Sequence, residues 1–539
     1  MKTKRTKWRR KEFGIAMGCT LMLIAVESCS RQPENIGDVD NSTLLDSGAV
    51  LAKQYCGSCH MLPSPEMLDK KTWIDQTLPS MGNRFGIYAD RTRDSLIEKG
   101  MGGRIVRAAN IFPANQIITE QEWEQIVAHY HHNAPETLSE PDGIESLPTS
   151  RHFKPIIPSF RIPRPGVTAL AYDSAKRQLY VANYVHNQNN TVTILDEKFQ
   201  PITTLGVKLP VSNLTLKKDI LYMLLMGHFV PSDEPVGQLI KAIKDKEGNY
   251  LGYKLVLTGL KRPVDIAYAD LDNDGDEDIV VCEFGNHTGS VSLFMRDGNG
   301  KYMRESLNEA PGAVRVLVTD FNADKKMDII VLMAQGDEGV DIYYNEGNSR
   351  FRKDRVLRFS PLFGSSSLLL LDINKDGFLD IICTNGDNAD ASQVIKPYHG
   401  IRLYMNNKNN QFNEAFFYNL PGAYKAAATD FDHDGDVDIG VVSFFPDFVH
   451  HPEMGFIFLE NISTTDSLKF APTLVPMSKT GRWITMIGAD TDGDGFEDLI
   501  LGSFSLMSIA GDPNTIAKKE FESSSVPLLL LNNVSTIKK

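Results

Sequence analysis

A small all-α domain followed by an all-β, seven-bladed propeller is the fold class this sequence predicts. Three observations carry it. An acidic loop between two apolar strands recurs five times in the second half of the chain, a helical pattern surrounds a C-x-x-C-H pentapeptide near the start, and a proline-rich stretch divides the two. At 539 residues the chain is too long for one ordinary core, so a multidomain protein is expected.

The repeats come first because they set the architecture. The segments AYADLDNDGDEDIVV, LVTDFNADKKMDIIV, LLLDINKDGFLDIIC, AATDFDHDGDVDIGV and IGADTDGDGFEDLIL have loops beginning at Asp270, Asp320, Asp372, Asp430 and Asp490. Their spacings of 50, 52, 58 and 60 residues suit one four-stranded blade each. Two degenerate copies, GVTALAYDSAKRQLYVANYV and VSNLTLKKDILYMLLMGHF, keep the paired strands and lack the acidic loop, which brings the blade count to seven. The propeller is expected over 166–539, and its last blade shows only three strands after Trp483. The missing outer strand is expected from FKPIIPSF, residues 153–160, at the end of a proline-rich linker over 139–165.

Each acidic loop places oxygen donors at positions 1, 3, 5 and 9, with a backbone carbonyl available at 7. The sets are Asp270, Asp272, Asp274, Asp278; Asp320, Asn322, Asp324, Asp328; Asp372, Asn374, Asp376, Asp380; Asp430, Asp432, Asp434, Asp438; and Asp490, Asp492, Asp494, Asp498. Alternating carboxylates in a tight turn can surround one hard cation, and the flexible coordination of calcium suits them better than the strict octahedron of magnesium. Up to five Ca2+ are therefore expected. Gly275, Gly377, Gly435 and Gly495 stand at position 6, where the backbone turns sharply, and Lys325 takes that place in the second loop. An EF-hand is excluded by context, since these loops join strands instead of helices.

The helical domain is expected over 48–138. GAVLAKQYCGSCH reads as a helix running into Cys56-Gly57-Ser58-Cys59-His60, the attachment signature of a c-type haem. Two thiols add across the vinyl groups and His60 becomes an axial ligand, so one covalent haem c is the expected cofactor. Met81, in KKTWIDQTLPSMGNRFG just after a proline-containing turn that ends a helix, is the expected second axial ligand, with Met101 in KGMGGR as runner-up. In TEQEWEQIVAHYHHNAP, Trp123, Ile126, Val127 and Tyr130 follow helical spacing and should pack on this domain, leaving the histidines on the other face.

The first residues read as an address. Seven of the first eleven are Lys or Arg, and an apolar run from Gly14 to Val26 follows, too short to span a bilayer comfortably. It ends at Val26-Glu27-Ser28-Cys29, which resembles a lipobox. A lipoprotein signal peptide over 1–28, lipidation of Cys29 and a tether over 29–47 are expected, which puts the protein in the cell envelope on a bacterial membrane, facing periplasm or exterior. The remaining cysteines, Cys19 in the apolar run and Cys282 and Cys383 in apolar strands, complete the six; the latter two are read as buried, unpaired thiols. The formal charge of −13 argues against nucleic acid as a partner.

The acidic loops resemble the FG-GAP/VCBS repeats of integrin-type propellers over roughly 166–535, and the whole arrangement is similar to bacterial c-type cytochrome/FG-GAP fusion lipoproteins, where C-x-x-C-H and a following L-P-x-M-G, here Leu78, Pro79, Met81 and Gly82, precede such a propeller. The resemblance implies that calcium loops join strands 1 and 2 on one face and that ligands meet the opposite face. Ligand-face candidates there are Glu283, Asn286, Asp387, Asp447 and Trp483. Three functions remain open. The first is an electron-transfer protein whose propeller docks a redox partner or a glycan. The second is a complete oxidoreductase whose propeller oxidises a sugar or alcohol. The third is a surface adhesion or glycan-binding protein.

Overall fold

The computed structural model describes residues 41–139, 147–186, 189–389, 394–464, 467–506 and 523–536. The expected signal peptide, Cys19 and Cys29 lie outside the described residues. Seven four-stranded antiparallel sheets follow one another along the chain from Val167. Their innermost strands are Val167–Asp173, Val211–Lys217, Pro263–Ala269, Ala313–Thr319, Ser365–Leu371, Ala423–Thr429 and Trp483–Ala489, which define blades 1 to 7. Each neighbours the next around a closed ring, with the seventh beside the first.

The sequence dictates this stacking. The second strands DIVVCE, DIIVLM, DIICTN, DIGVVS and DLILGS are buried at every residue, because a blade is covered on both faces by its neighbours. Apolar clusters fill each gap, as where Ile330, Val340 and Ile342 of blade 4 meet Leu368, Ile381 and Cys383 of blade 5. Cys282 and Cys383 are wholly buried free thiols, as expected. Every inner strand also carries the same irregularity, a bulge between its first and third residues opposite strand 2.

The ring closes through a strand from before the propeller. Phe153–Ile156 runs antiparallel to Leu528–Asn533, with Phe153 opposite Asn533 and Ile156 opposite Leu530, and completes blade 7. The proline-rich linker is less of a free spacer than its composition suggests. Ser150 N–H donates to Leu474 O (2.7 Å), Arg164 N–H to Ser524 O (3.1 Å) and Ser505 N–H to Pro165 O (2.7 Å), so from Pro148 onward it is bound to the propeller.

The helical part is built on helices Asn41–Tyr55 and Glu120–Asn133. They approach so closely that a Cβ on Gly48 would lie 2.2 Å from Gln125 O, so glycine is required there. Thr119 and Glu122 form a capping box at the start of the second helix. Trp123, Ile126 and Tyr130 are buried with Ala52, Leu68, Trp73 and Leu78, while His131 and His132 are exposed. One local expectation is corrected. Met81 stands inside a helix, Leu78–Arg84, and not after a helix end. A π-turn over Trp73–Thr77 places Leu78 N–H on Trp73 O and accommodates Pro79, which has no N–H to give. Among the described residues no helix is long and apolar enough to cross a membrane.

Candidate functional site

The helical domain sits on the propeller face formed by the loops between strands 2 and 3 and between successive blades. Glu98 accepts hydrogen bonds from Ser232 Oγ (2.9 Å) and Asp233 N–H (2.7 Å) of blade 2. Asp233 in turn accepts from His287 N–H (2.9 Å) and Thr288 N–H (2.6 Å) of blade 3. Arg84 Nη2 lies 3.0 Å from His287 Nδ1. Further round, Ser360 Oγ donates to Met67 Sδ (3.3 Å) and Tyr398 Oη to Met67 O (2.8 Å). Leu362 packs into the helical core. This junction joins residues hundreds of positions apart, and no local pattern announced it.

At the end of helix Asn41–Tyr55, Cys56 and Cys59 are free thiols, the first half-buried and the second exposed. Burial and the neighbouring Cys59 push the Cys56 thiol up to about 11. His60 Nδ1 lies 2.8 Å from Met61 O. That carbonyl can only accept, so Nδ1 carries a proton and Nε2 is the nitrogen left outside this contact. The following segment is tied to the helical core by Tyr130 Oη on Pro63 O (2.8 Å) and Trp73 Nε1 on Pro65 O (2.7 Å). Among the methionines, Met81 packs half-buried in the same apolar cluster as Tyr55 and Leu62. Met101 is 49% exposed with its sulfur toward Arg104, and Met67 is engaged by Ser360 and Tyr398 of the propeller. Two thiols and one imidazole follow the end of helix Asn41–Tyr55 within five residues.

The five acidic loops share one conformation. In the first, Asp274 N–H donates to Asp270 Oδ1 (3.2 Å) and Asp272 Oδ1 (3.3 Å), and Gly275 N–H to Asp270 Oδ2 (3.0 Å). The bond from the sixth residue to the first aspartate recurs in every loop. Lys325 holds φ of 70° where the other loops have glycine, so the second loop keeps the shape despite the side chain. Carboxylate oxygens of Asp270, Asp272 and Asp278 lie within 4.8 Å of one another, as do those of Asp430, Asp432 and Asp438, and of Asp490, Asp492 and Asp494. In the second and third loops lysines enter instead: Lys326 pairs with Asp324, and Lys408 Nζ lies 3.5 Å from Asp376.

The ninth position does more than its sequence shows. Asp278, Asp328, Asp380, Asp438 and Asp498 are essentially unexposed. Each accepts one backbone N–H from the second loop residue and another from strand 3 or its end, as Asp380 does from Ile373 (3.0 Å) and Asn406 (2.8 Å). These carboxylates are struts across the blade. Burial raises all five, and Asp438, with Asp432 and Asp436 beside it, reaches about 7. The same crowding raises Asp436 to about 6.

Acidic loops of this shape, each tied by its ninth aspartate into a propeller blade, identify the repeat. The chain carries FG-GAP-like repeats. The model of the FG-GAP-like repeat matches residues 270–331 and 320–383, which span the first three acidic loops. No curated protein matches the chain. Among solved structures, the N-terminal domain of Nup159 is 11% identical with a TM-score of 0.42, covering 72% of this chain and 97% of its own. A "putative 6-phosphogluconolactonase" from Bacteroides fragilis is 12% identical with a TM-score of 0.39, covering 57% and 84%. Neither likeness bears on activity.

The FG-GAP-like propeller does not present all the expected rim residues. Glu283 is wholly buried, accepting from Lys261 N–H (2.6 Å), Ser292 Oγ (2.6 Å) and Arg304 Nη2 (2.6 Å) inside blade 3. Trp483 is wholly buried too, its Nε1 donating to Ser478 O. Both are corrected from ligand-face candidates to internal supports. Asp447 accepts from Val449 N–H (3.0 Å), His450 N–H (3.0 Å) and His450 Nδ1 (2.8 Å), which hold its carboxyl below the usual range. Asn286 and Asp387 are half-buried in their own loops.

Proposed function

We propose that this protein is an exported, lipid-anchored c-type cytochrome whose haem domain is carried on a calcium-stabilised FG-GAP-like propeller. The observation that carries the reading is the pairing of free Cys56 and Cys59 with His60 at one helix end, in a domain fastened to the propeller by Glu98, Arg84 and Met67. The donor set fits a covalent haem: thiols three residues apart, and an imidazole whose Nδ1 partner leaves Nε2 for iron. Cys56 and Cys59 would hold the porphyrin, His60 would ligate it, and Met81 is best set among the methionines to face it from the apolar cluster. Such a haem supplies a reversible one-electron site. The chain's own part is to orient His60 through Met61 O, to shield the site with Trp73, Leu78 and Tyr130, and to fix it against the propeller. A redox partner protein then exchanges electrons with it, and the uncovered propeller rim binds that partner or a glycan.

Calcium completes the reading. Asp270, Asp272 and Asp278, with the sets at Asp430 and Asp490, bring oxygens close enough to share one hard cation, and their mutual repulsion is what such an ion relieves. The loops at Asp320 and Asp372 have the same backbone but already carry lysine partners, so they bind more weakly.

The test is expression of the full chain with a working haem-maturation system. A pigment whose porphyrin mass stays with the polypeptide under denaturation, and is lost in Cys56→Ser/Cys59→Ser, is expected. A colourless wild-type product overturns the redox reading and leaves the propeller alone. Haem reduction by a sugar or alcohol without a partner would make the protein an oxidoreductase in its own right.

A further inference from the structure

The propeller's inner strands are nearly uncharged where they wall the central channel, with one exception. Directly after the shared bulge, the third residues of the seven inner strands are Ala169, Asn213, Asp265, Arg315, Ser367, Lys425 and Thr485. A bulge re-aims the side chain that follows it, and the same bulge in every blade sets these seven side chains in one layer. Three of the seven are ionic.

Two of those ions satisfy each other. Arg315 Nη1 donates to Asp265 Oδ2 (3.1 Å), and the same carboxylate takes Val316 N–H (3.0 Å) and Asn213 Nδ2 (3.0 Å). Asp265 is only 4% exposed and its acceptor capacity is largely used. Lys425 is the third. Among the described residues its side chain has no hydrogen bond and no ion pair. The charges that act on it are Arg315 and Asp265. Those belong to blades 4 and 3, while Lys425 belongs to blade 6, and blades 4 and 6 are separated by blade 5 on one side. The interaction therefore crosses the channel. Burial, with Arg315 facing it, lowers the ammonium to about 8.

Two of the residues just before this layer are largely apolar. Tyr424 and Ile484 belong to an apolar cluster with Phe229, Phe444 and Phe504. Both cations are partly accessible, the Arg315 side chain 34% exposed. A partly accessible layer with one surplus positive charge and unused ammonium protons is complementary to an anion.

We propose that the central channel of the propeller binds a small oxyanion, a carboxylate or a phosphate, between Lys425 and Arg315. This does not depend on a haem or on the calcium loops. The ligand accepts hydrogen bonds from Lys425 Nζ and lies against the outer edge of the Arg315 guanidinium, whose Nη1 stays on Asp265. Nothing covalent is involved.

The test is calorimetric titration of the full chain with inorganic phosphate and, separately, with succinate, at constant ionic strength set by chloride. Saturable binding of one equivalent is expected, weakened at least about tenfold in Lys425→Met and kept within about threefold in Lys425→Arg. Tighter phosphate marks a phosphate ester as the natural ligand class, and tighter succinate an organic acid. Affinity should also weaken as pH rises above about 8 and the ammonium loses its proton. That pH profile keeps the test valid if Lys425→Met fails to fold. Absence of binding by either anion, or equal binding by wild type and Lys425→Met, overturns the proposal and leaves a water-solvated lysine.

Discussion

Arg84 of the helical domain holds its guanidinium over the Phe112 ring, 4.9 Å from the centroid, and points Nη2 at His287 Nδ1 of blade 3, 3.0 Å away. A guanidinium can only donate, so His287 must offer a lone pair and be neutral at that nitrogen. Burial and Arg84 both lower the imidazole's proton affinity, while Asp233 and Glu98 act weakly the other way.

Docking should therefore depend on pH in a defined direction. A histidine with a lowered value in the docked state binds fewer protons there than when released, so docking is full above the ordinary imidazole range and is lost as pH falls below it. Between about pH 7 and pH 5 hydrogen exchange at the junction N–H groups of Asp233 and Thr288 should speed up. His287→Ala should flatten that profile, and Arg84→Ala should raise the exchange at every pH. A profile unchanged by either substitution would remove this contact from the docking.

Asp380 tests the strut. Its carboxylate takes Ile373 N–H and Asn406 N–H in a fully buried place, so Asp380→Ala leaves two orphaned donors. A loss of about 3–5 kcal/mol is expected from denaturant unfolding. Asp376→Ala, at a proposed calcium-ligand position whose hydrogen bonds lie within its own loop, should cost less than about 1 kcal/mol in calcium-free buffer and more when calcium is present. Equal costs for the two would mean that position 9 is merely another ligand.

Calcium removal gives a third prediction, with its sign. Asp438 is raised to about 7 in the fold, so the folded protein binds more protons than the unfolded chain between the ordinary aspartate range and that value. Stability then falls as pH rises through this window, and the penalty is fully present above it. Chelated protein should lose melting temperature between about pH 4 and pH 7, and added Ca2+ should abolish the loss by compensating the ionised carboxylates. A chelated protein that melts at one temperature across that range would refute the coupling.

How far the sequence reached can be judged from individual residues. The blades were legible because an apolar strand covered on both faces has no polar residues to break its run, as in DIVVCE and DIIVLM. The closing strand followed from the missing partner of Leu528–Asn533, and the buried thiols followed from their places in such runs. Position 9 was only half legible: the pattern shows an aspartate but not whether its oxygens meet a cation or the N–H groups of Ile373 and Asn406. Glu283 looked like a rim residue because its neighbours CEFGNHTG are polar, while its partner Arg304 lies on strand 4, 21 residues away. The junction through Arg84, Glu98 and Met67 depends on how two folded bodies meet, and no periodicity encodes that.

The closure of the ring supplies the last prediction. Phe153, 4% exposed, sets its ring edge-on to Phe431 and Phe458 of blade 6, with centroids 5.5 and 5.0 Å away. Among the described residues its strand supplies the ladder partners on the outer side of Leu528–Asn533, so side-chain packing and sheet pairing act together at one residue. Phe153→Ala should cost about 3–5 kcal/mol and speed hydrogen exchange at Leu530 and Asn532, since the last blade opens when its outer strand lifts. Ile156, 39% exposed on the same strand, is the control: its change to Ala should cost under about 1 kcal/mol and leave that exchange alone. If the two substitutions weaken the protein alike, the strand is held by its backbone only, and the aromatic wedge against blade 6 is not what latches the ring.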